Sequence, residues 1–250
     1  MVDTVHALLM RELITRFGKN RLGYFWAIAE PVAQAAIFAL IFTLLGREAI
    51  AGVPVALFLL SGILPFNLFT KLLTQMSVAI EANKALFSYR QVSAIDPVVT
   101  RLIIEVATFF IVYTIILSAL AWLGFAVIPD DLPKVLLATA LLVIVATGLG
   151  LILCSLVSYW QDTPKVIAMI MRPMFFISGI LYCATMIPKQ YWYLFDWNPI
   201  FHGIELSRDA FFSAYTTPIG SWAYLSTVAL ISFATGLATF KLSQQRFISS

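Results

Sequence analysis

Three side chains in one short stretch have the spacing of a reactive cluster. His202 and Glu205 stand i, i+3, and Glu205 and Asp209 stand i, i+4, which makes them neighbours on a helical surface. A histidine beside two carboxylates suits general acid–base work, and a membrane-embedded hydrolase or acyltransferase built on His202, Glu205 and Asp209 is one reading. The rest of the chain does not support it. His6 is the only other histidine, so an intramembrane metal site lacks ligands and no metal is expected. Neither HExxH nor GxSxG occurs, and a lone histidine near helix caps more often has a structural role. Cys154 and Cys183 lie in apolar stretches without CxxC spacing and read as reduced packing residues. A GxxxxGK[ST] loop is absent, so the chain binds no nucleotide by that route and is expected to bind no cofactor of its own.

The same cluster belongs to a longer stretch, Ser178 to Phe212, that is apolar in composition yet too broken for one membrane helix. It carries Gly179, Pro188, Pro199 and Gly203, with Tyr191, Trp192, Tyr193, Phe195 and Trp197 packed between ionisable residues. Stepping outward from it, 61% of the 250 residues are hydrophobic and only 12% charged, against about half and a quarter in soluble domains, which makes this an integral membrane protein. No basic tract suggests nucleic acid. The first residues hold Asp3, His6, Arg11, Glu12 and Arg16 without an uninterrupted apolar core, so they do not read as a signal peptide and the mature protein is expected to begin at Met1.

The expected fold is all-α, a single domain with six transmembrane helices. Residues 4–20 form an amphipathic interface helix with Leu9, Met10, Leu13, Ile14 and Phe17 on its apolar face and Leu8 as the exception on the polar side. Arg11, Arg16, Lys19 and Arg21, followed by the aromatics Tyr24 and Trp26, mark a headgroup boundary. Spans follow at 23–46, 55–76, 97–127, 134–160, 164–187 and 221–241, with a polar insert at 79–95 and the broken segment at 188–213. Pro65 inside the second span frees a carbonyl, so that helix either faces protein or a cavity or is simply kinked. Asp96–Pro97 and Asp162–Thr163–Pro164 read as helix caps, and Arg101 and Glu105 can pair at i, i+4. Ala146, Gly150, Cys154 and Ser158 form a small-residue stripe for close helix packing. Arg172 lies about 10 Å into its span, where it either snorkels to the near surface or faces a polar path.

Six spans put both termini on one side. Twelve of the sixteen Lys and Arg then fall on that side, which makes it the cytoplasm. The insert at 79–95 is cytoplasmic and the broken segment faces the far side. Glu105 is the only carboxylate well inside a span, so a proton- or sodium-coupled carrier is not indicated.

Four blocks resemble membrane subunits of ABC-2 type exporters, specifically those for capsular polysaccharide in Gram-negative bacteria: RELITRFGKNRLGYFWAIAEP (Arg11 to Pro31), FLLSGILPFNLF (Phe58 to Phe69), AIEANKALFSYRQVSAID (Ala79 to Asp96) and IPKQYWYLFDWNPIFHGIELSRDA (Ile187 to Ala210). The resemblance covers nearly the whole chain. The first block resembles the whole polysaccharide and O-antigen exporter group, while the last looks most like the capsule branch; a permease for O-antigen or teichoic-acid type polymers is the alternative.

The resemblance implies a bacterial inner-membrane protein that pairs with a second copy of itself and with two copies of a cytoplasmic ABC ATPase, which binds the ATP and Mg. It implies a cytoplasmic coupling helix between spans two and three, here Glu81, Asn83, Lys84, Phe87, Tyr89, Arg90 and Gln91, and re-entrant periplasmic helices between spans five and six. A periplasmic polysaccharide co-polymerase adaptor and an outer-membrane export protein are the further partners, and a lipid-linked acidic polysaccharide is the cargo. Tyr182, Trp192, Tyr193 and Trp197, with apolar bodies and polar tips, are the expected sugar contacts, and Arg47, Arg172, Lys189 and Arg208 the expected attraction for acidic groups.

Overall fold

The computed structural model describes residues 2–14, 23–88 and 93–249. Nearly everything in it is helix, as a bilayer requires of a chain whose backbone N–H and C=O groups find no water there. A short helix α1 (Val2–Leu13) leads to α2 (Gly23–Leu44), and a two-stranded hairpin, β1 (Ala49–Ile50) with β2 (Val53–Pro54), connects it to α3 (Val55–Ser77). The hairpin pairs Ala49 with Pro54 and Ile50 with Val53 and turns through Ala51 and Gly52 at φ of 49° and 80°, the left-handed pair that matches strand twist. Then follow α4 (Ile95–Trp122), α5 (Leu132–Val157), α6 (Thr163–Ile177), α7 (Pro199–Phe211) and α8 (Trp222–Ser249).

Five of these helices, α2, α3, α4, α5 and α8, are long and apolar enough to cross a membrane. The sixth expected span, 164–187, is realised differently. α6 is a 15-residue helix, about 22 Å long, which is short of the roughly 30 Å hydrocarbon core. Gly179 explains the stop: at φ +72° it takes the left-handed conformation that closes helices, while the Ser178 N–H bonds back to the Met174 carbonyl at 2.9 Å. The chain then runs through two 3-10 turns, Ala184–Met186 and Lys189–Leu194, into α7.

Caps are read partly from local signals. Asp131 accepts the Lys134 N–H at 3.1 Å and starts α5 as an N-cap with Pro133 in the first turn. Asp96 lies one residue inside α4 rather than before it, and accepts the Ser93 N–H at 2.9 Å. Asp162 precedes α6, but its carboxylate bonds the Lys165 ammonium at 2.7 Å instead of a backbone N–H.

α3 and α5 form the interior. α3 is buried over most of its length, Pro65 included, so its proline is enclosed by protein. α5 packs against α3, α7 and α8. Of the small-residue stripe, Gly150 faces Met76 of α3, whereas the closest backbone approach is made by Gly148, where an added Cβ would lie 2.3 Å from the Ser232 carbonyl of α8. α7 is buried on nearly all sides among α3, α5 and α8.

The connections sort to two ends. At one, the Asp130 and Asp131 N–H groups bond the last carbonyls of α7, and Gly52 of the hairpin approaches Ala214. At the other, α1, the 3-10 segment Glu81–Ser88 and the start of α4 meet.

Candidate functional site

Among the described residues, a wide groove lies between α2, α3 and α6. It is open, with about 530 Å³ of space, and is lined by Glu30 and Gln34 of α2, Asn67, Thr70 and Thr74 of α3, and Arg172 of α6, with Phe66, Phe175 and Phe176 among them. Phe175 holds the three helices together: it stacks on Phe38 at 5.8 Å and meets Phe66 edge-on at 5.4 Å. The Thr74 hydroxyl is spent on the Thr70 and Lys71 carbonyls, as is usual for threonine inside a helix. The Thr70 hydroxyl is buried without a partner, and among the described residues the side chains of Gln34, Asn67 and Arg172 have no hydrogen-bond or ion-pair partner either. A buried hydroxyl such as that of Thr70 costs about 1–3 kcal/mol when dry, and with Gln34 and Asn67 half-buried and Arg172 exposed the groove is a place for water or for a hydroxylated solute. Sequence reading singled out Arg172 here and missed Gln34, Asn67 and Thr70. Uncharged polar residues inside apolar helices carry no signal of direction until the helices are packed.

At the opposite pole from α7, α1 is clasped to its neighbours. Arg11 Nη2 donates to Asn83 Oδ1 at 3.0 Å, and the Asn83 amide donates to the Ala79 carbonyl at 2.9 Å. Glu12 pairs with Arg101 at 3.1 Å, and Arg101 Nη1 also donates to the Gln75 carbonyl at the end of α3. The partner of Arg101 thus comes from α1 rather than from its own helix alone. Leu8, the exception in the expected apolar face, is the buried residue of α1, while Met10 and Ile14 of that face are exposed. α1 therefore packs on protein through Leu8 and Glu12, with Leu9 and Leu13 half-buried and Met10 and Ile14 turned outward. The expected coupling helix is a 3-10 helix over Glu81–Ser88, with Glu81 and Lys84 exposed, Phe87 half-buried and Asn83 buried. Tyr89, Arg90, Gln91, Arg16, Lys19 and Arg21 lie outside the described residues, as does the Tyr24 side chain; Trp26 is exposed.

α7 carries the residues that suggested catalysis, and packing uses them otherwise. Asn198 caps the helix, accepting the Ile200 N–H at 3.0 Å and donating to Ser178 Oγ at 3.1 Å. His202 Nδ1 accepts the Ser221 N–H at 3.2 Å, so Nε2 holds the proton and donates to the Asp196 carbonyl at 2.9 Å. Glu205 Oε2 accepts from the Tyr215 hydroxyl, from Thr217 Oγ1 at 2.9 Å and from the Ala184 N–H at 3.3 Å. Burial, and after it the Glu205 carboxylate, pushes the Tyr215 phenol above its usual range, so that hydroxyl stays a neutral donor. Both imidazole nitrogens are engaged by backbone, so His202 is held in a packing role, and no group of three or more metal-ligating side chains is found among the described residues.

Arg208, expected along a polymer path, is enclosed instead. Its side chain has 0% exposure, lies 3.8 Å over the Phe58 ring and 3.6 Å from Glu205, and donates to Ser61 Oγ and to the carbonyls of Phe58, Gly179, Ile180 and Tyr182. Gly62 makes the room, since a Cβ there would sit 2.6 Å from Arg208 Nη2. The carbonyls released where α6 ends are satisfied by this one guanidinium, whose five donors are suited to the task. Arg208 as placed presents no N–H to a polymer.

The other expected contacts divide. Tyr193 and Trp197 are exposed, as are Lys189 and Arg47. Trp192 is half-buried, bonds the Ile187 carbonyl at 2.9 Å and lies under Lys189 at 5.9 Å. Tyr182 is half-buried edge-on to Phe195 at 5.7 Å. The structure does not bring these residues into the groove that holds Arg172.

Residues 4–212 match the family described as ABC-2 type transporter. The chain is 36% identical to the polysialic acid transport protein KpsM of Escherichia coli over 99% of its own length and 96% of that protein's. It is 29% identical to the capsule polysaccharide export inner-membrane protein CtrC of Neisseria meningitidis, over 94% and 88% of the two chains. It is 24% identical to the O-antigen export system permease protein RfbA of Klebsiella pneumoniae, over 99% and 94%.

Proposed function

Because the chain belongs to the ABC-2 type transporter family, we propose that it is the membrane subunit of an ATP-driven exporter that moves capsular polysaccharide across the bacterial inner membrane. Two copies form one pore with two copies of a cytoplasmic ATPase. The cargo is a lipid-linked chain carried from cytoplasm to periplasm, with both termini of this subunit cytoplasmic and α7 re-entering from the far side. ATP and Mg sit in the partner, in keeping with the absent nucleotide loop here. The observation that carries the reading is the α2–α3–α6 groove, whose polar side chains lack partners within the chain and so suit a hydrated, hydroxyl-rich polymer. Higher identity to capsule exporters than to the O-antigen permease favours a capsular cargo.

In this reading the ATPase grips the exposed side of the Glu81–Ser88 segment. Its closure is relayed through Asn83 to Arg11 of α1, and Glu12 passes it to Arg101 at the start of α4. Movement of these elements opens the grooves of the two copies toward one another. Tyr193 and Trp197 at the far end receive the emerging polymer. Charge reversal at Lys84 and Arg90 tests the arrangement. The variant is expected to insert normally, to lose export, and to lose co-purification with the ATPase; undiminished export would sink the coupling assignment.

A further inference from the structure

We propose that the α2–α3–α6 groove is a charge filter, in which Arg172 selects polymers bearing carboxylates over neutral ones. The inference rests on the export reading above and adds the residue that sets its selectivity.

The groove has two charged lining residues, Glu30 and Arg172. Lys71 lies 3.5 Å from Glu30 and offsets it, a pair joining α2 to α3. Arg172 has no counterpart among the described residues. The groove therefore keeps one uncompensated positive charge. Arg172 is exposed at the surface of the groove on α6, so its guanidinium is open to an anion from outside the chain. Here the position is fixed rather than incidental. Arg172 precedes Pro173 in α6, and the neighbouring Phe175 is clamped between Phe38 and Phe66, so the guanidinium cannot be withdrawn by rotating the helix without breaking that aromatic contact.

The uncharged groups around it complete the specificity. Gln34 and Asn67 each offer a donor and an acceptor, and Thr70 offers a hydroxyl without a partner. These match the hydroxyls that every sugar repeat carries, charged or neutral. Only Arg172 distinguishes the two, because a planar guanidinium pairs bidentately with a carboxylate. A single charge also suits transit: the polymer is recognised repeat by repeat without being held. Arg208, the other arginine of the resemblance-based expectation, is fully engaged inside the fold and cannot serve this purpose.

The test uses the full chain in complex with its ATPase in nanodiscs, with ATPase stimulation as the readout. The probes are oligosialic acid and the same oligomer with its carboxylates reduced to alcohols. A charge-assisted hydrogen bond corresponds to a preference of about tenfold in half-maximal concentration for the acidic probe. Arg172→Gln is expected to remove that preference, so that the acidic and the reduced probe reach half-maximal stimulation at the same concentration. Arg172→Lys is expected to keep most of it, and Glu30→Gln, which leaves the Lys71 ammonium without the carboxylate that offsets it, to increase it. Equal wild-type responses to the two probes would overturn the filter while leaving the export reading intact, as would an Arg172→Gln preference equal to that of wild type. Stimulation of the wild-type complex by neither probe would overturn the export reading and this inference with it.

Discussion

Arg208 and Arg172 show how little a residue type says about its use. Both are arginines in apolar helices. Arg208 spends its donors on Ser61 and on four carbonyls, and sits against Glu205 and Phe58, so its charge is locked into the fold. Arg172 has no partner among the described residues and borders the groove. Replacing Arg208 leaves Glu205 buried without its cation and several carbonyls unsatisfied, a loss of about 3–5 kcal/mol. Arg208→Met is therefore expected to reduce membrane abundance and thermal stability in detergent sharply. Arg208→Lys should recover little, because one ammonium cannot reach acceptors spread around a planar fork. If Arg208→Lys matched wild type in a thermal melt, the locking role would be wrong.

At the scale of elements, α1 differs most from its sequence pattern. Its periodicity is that of an interface helix, and its exposed Met10 and Ile14 keep that property, but Leu8 and Glu12 turn toward the protein. The Glu12–Arg101 pair is nearly buried, so Glu12→Arg or Arg101→Glu is expected to release α1 and expose it to protease. The double exchange, Glu12→Arg with Arg101→Glu, is expected to restore protection and part of the export. Failure of either single variant to change proteolysis would show that Leu8 alone seats the helix. α6 makes a similar point. Composition extends the span to Ile187, whereas Gly179 closes the helix at Ile177 and Arg208 tends the carbonyls left behind. The glycine was visible in the sequence, but its role as a helix end depended on a cation 29 residues away.

For the whole molecule, the grouping of connections at two ends accords with the alternation of spans, and the far end gathers the hairpin, the α4–α5 connection and α7. Tyr193 and Trp197, ahead of the first turn of α7, are exposed, whereas Trp192 bonds the Ile187 carbonyl. Tyr193→Ala with Trp197→Ala is expected to lower surface polymer several-fold at unchanged chain abundance, and Trp192→Ala to lower abundance itself; quantifying both in the same cells separates contact from packing. Export that merely tracks abundance in all variants would assign the whole cluster to anchoring. The sequence alone determined that the protein lives in a membrane and the exporter family to which it belongs, and it placed six spans, five of which are helices long and apolar enough to cross a membrane. These follow from local quantities, since a bilayer demands about twenty apolar residues per span and internally bonded backbone. Tertiary structure decided which polar side chains are occupied and which are offered. Arg208 meets Ser61 across 147 residues and Glu12 meets Arg101 across 89, and no periodicity along one helix records what a distant helix brings to it.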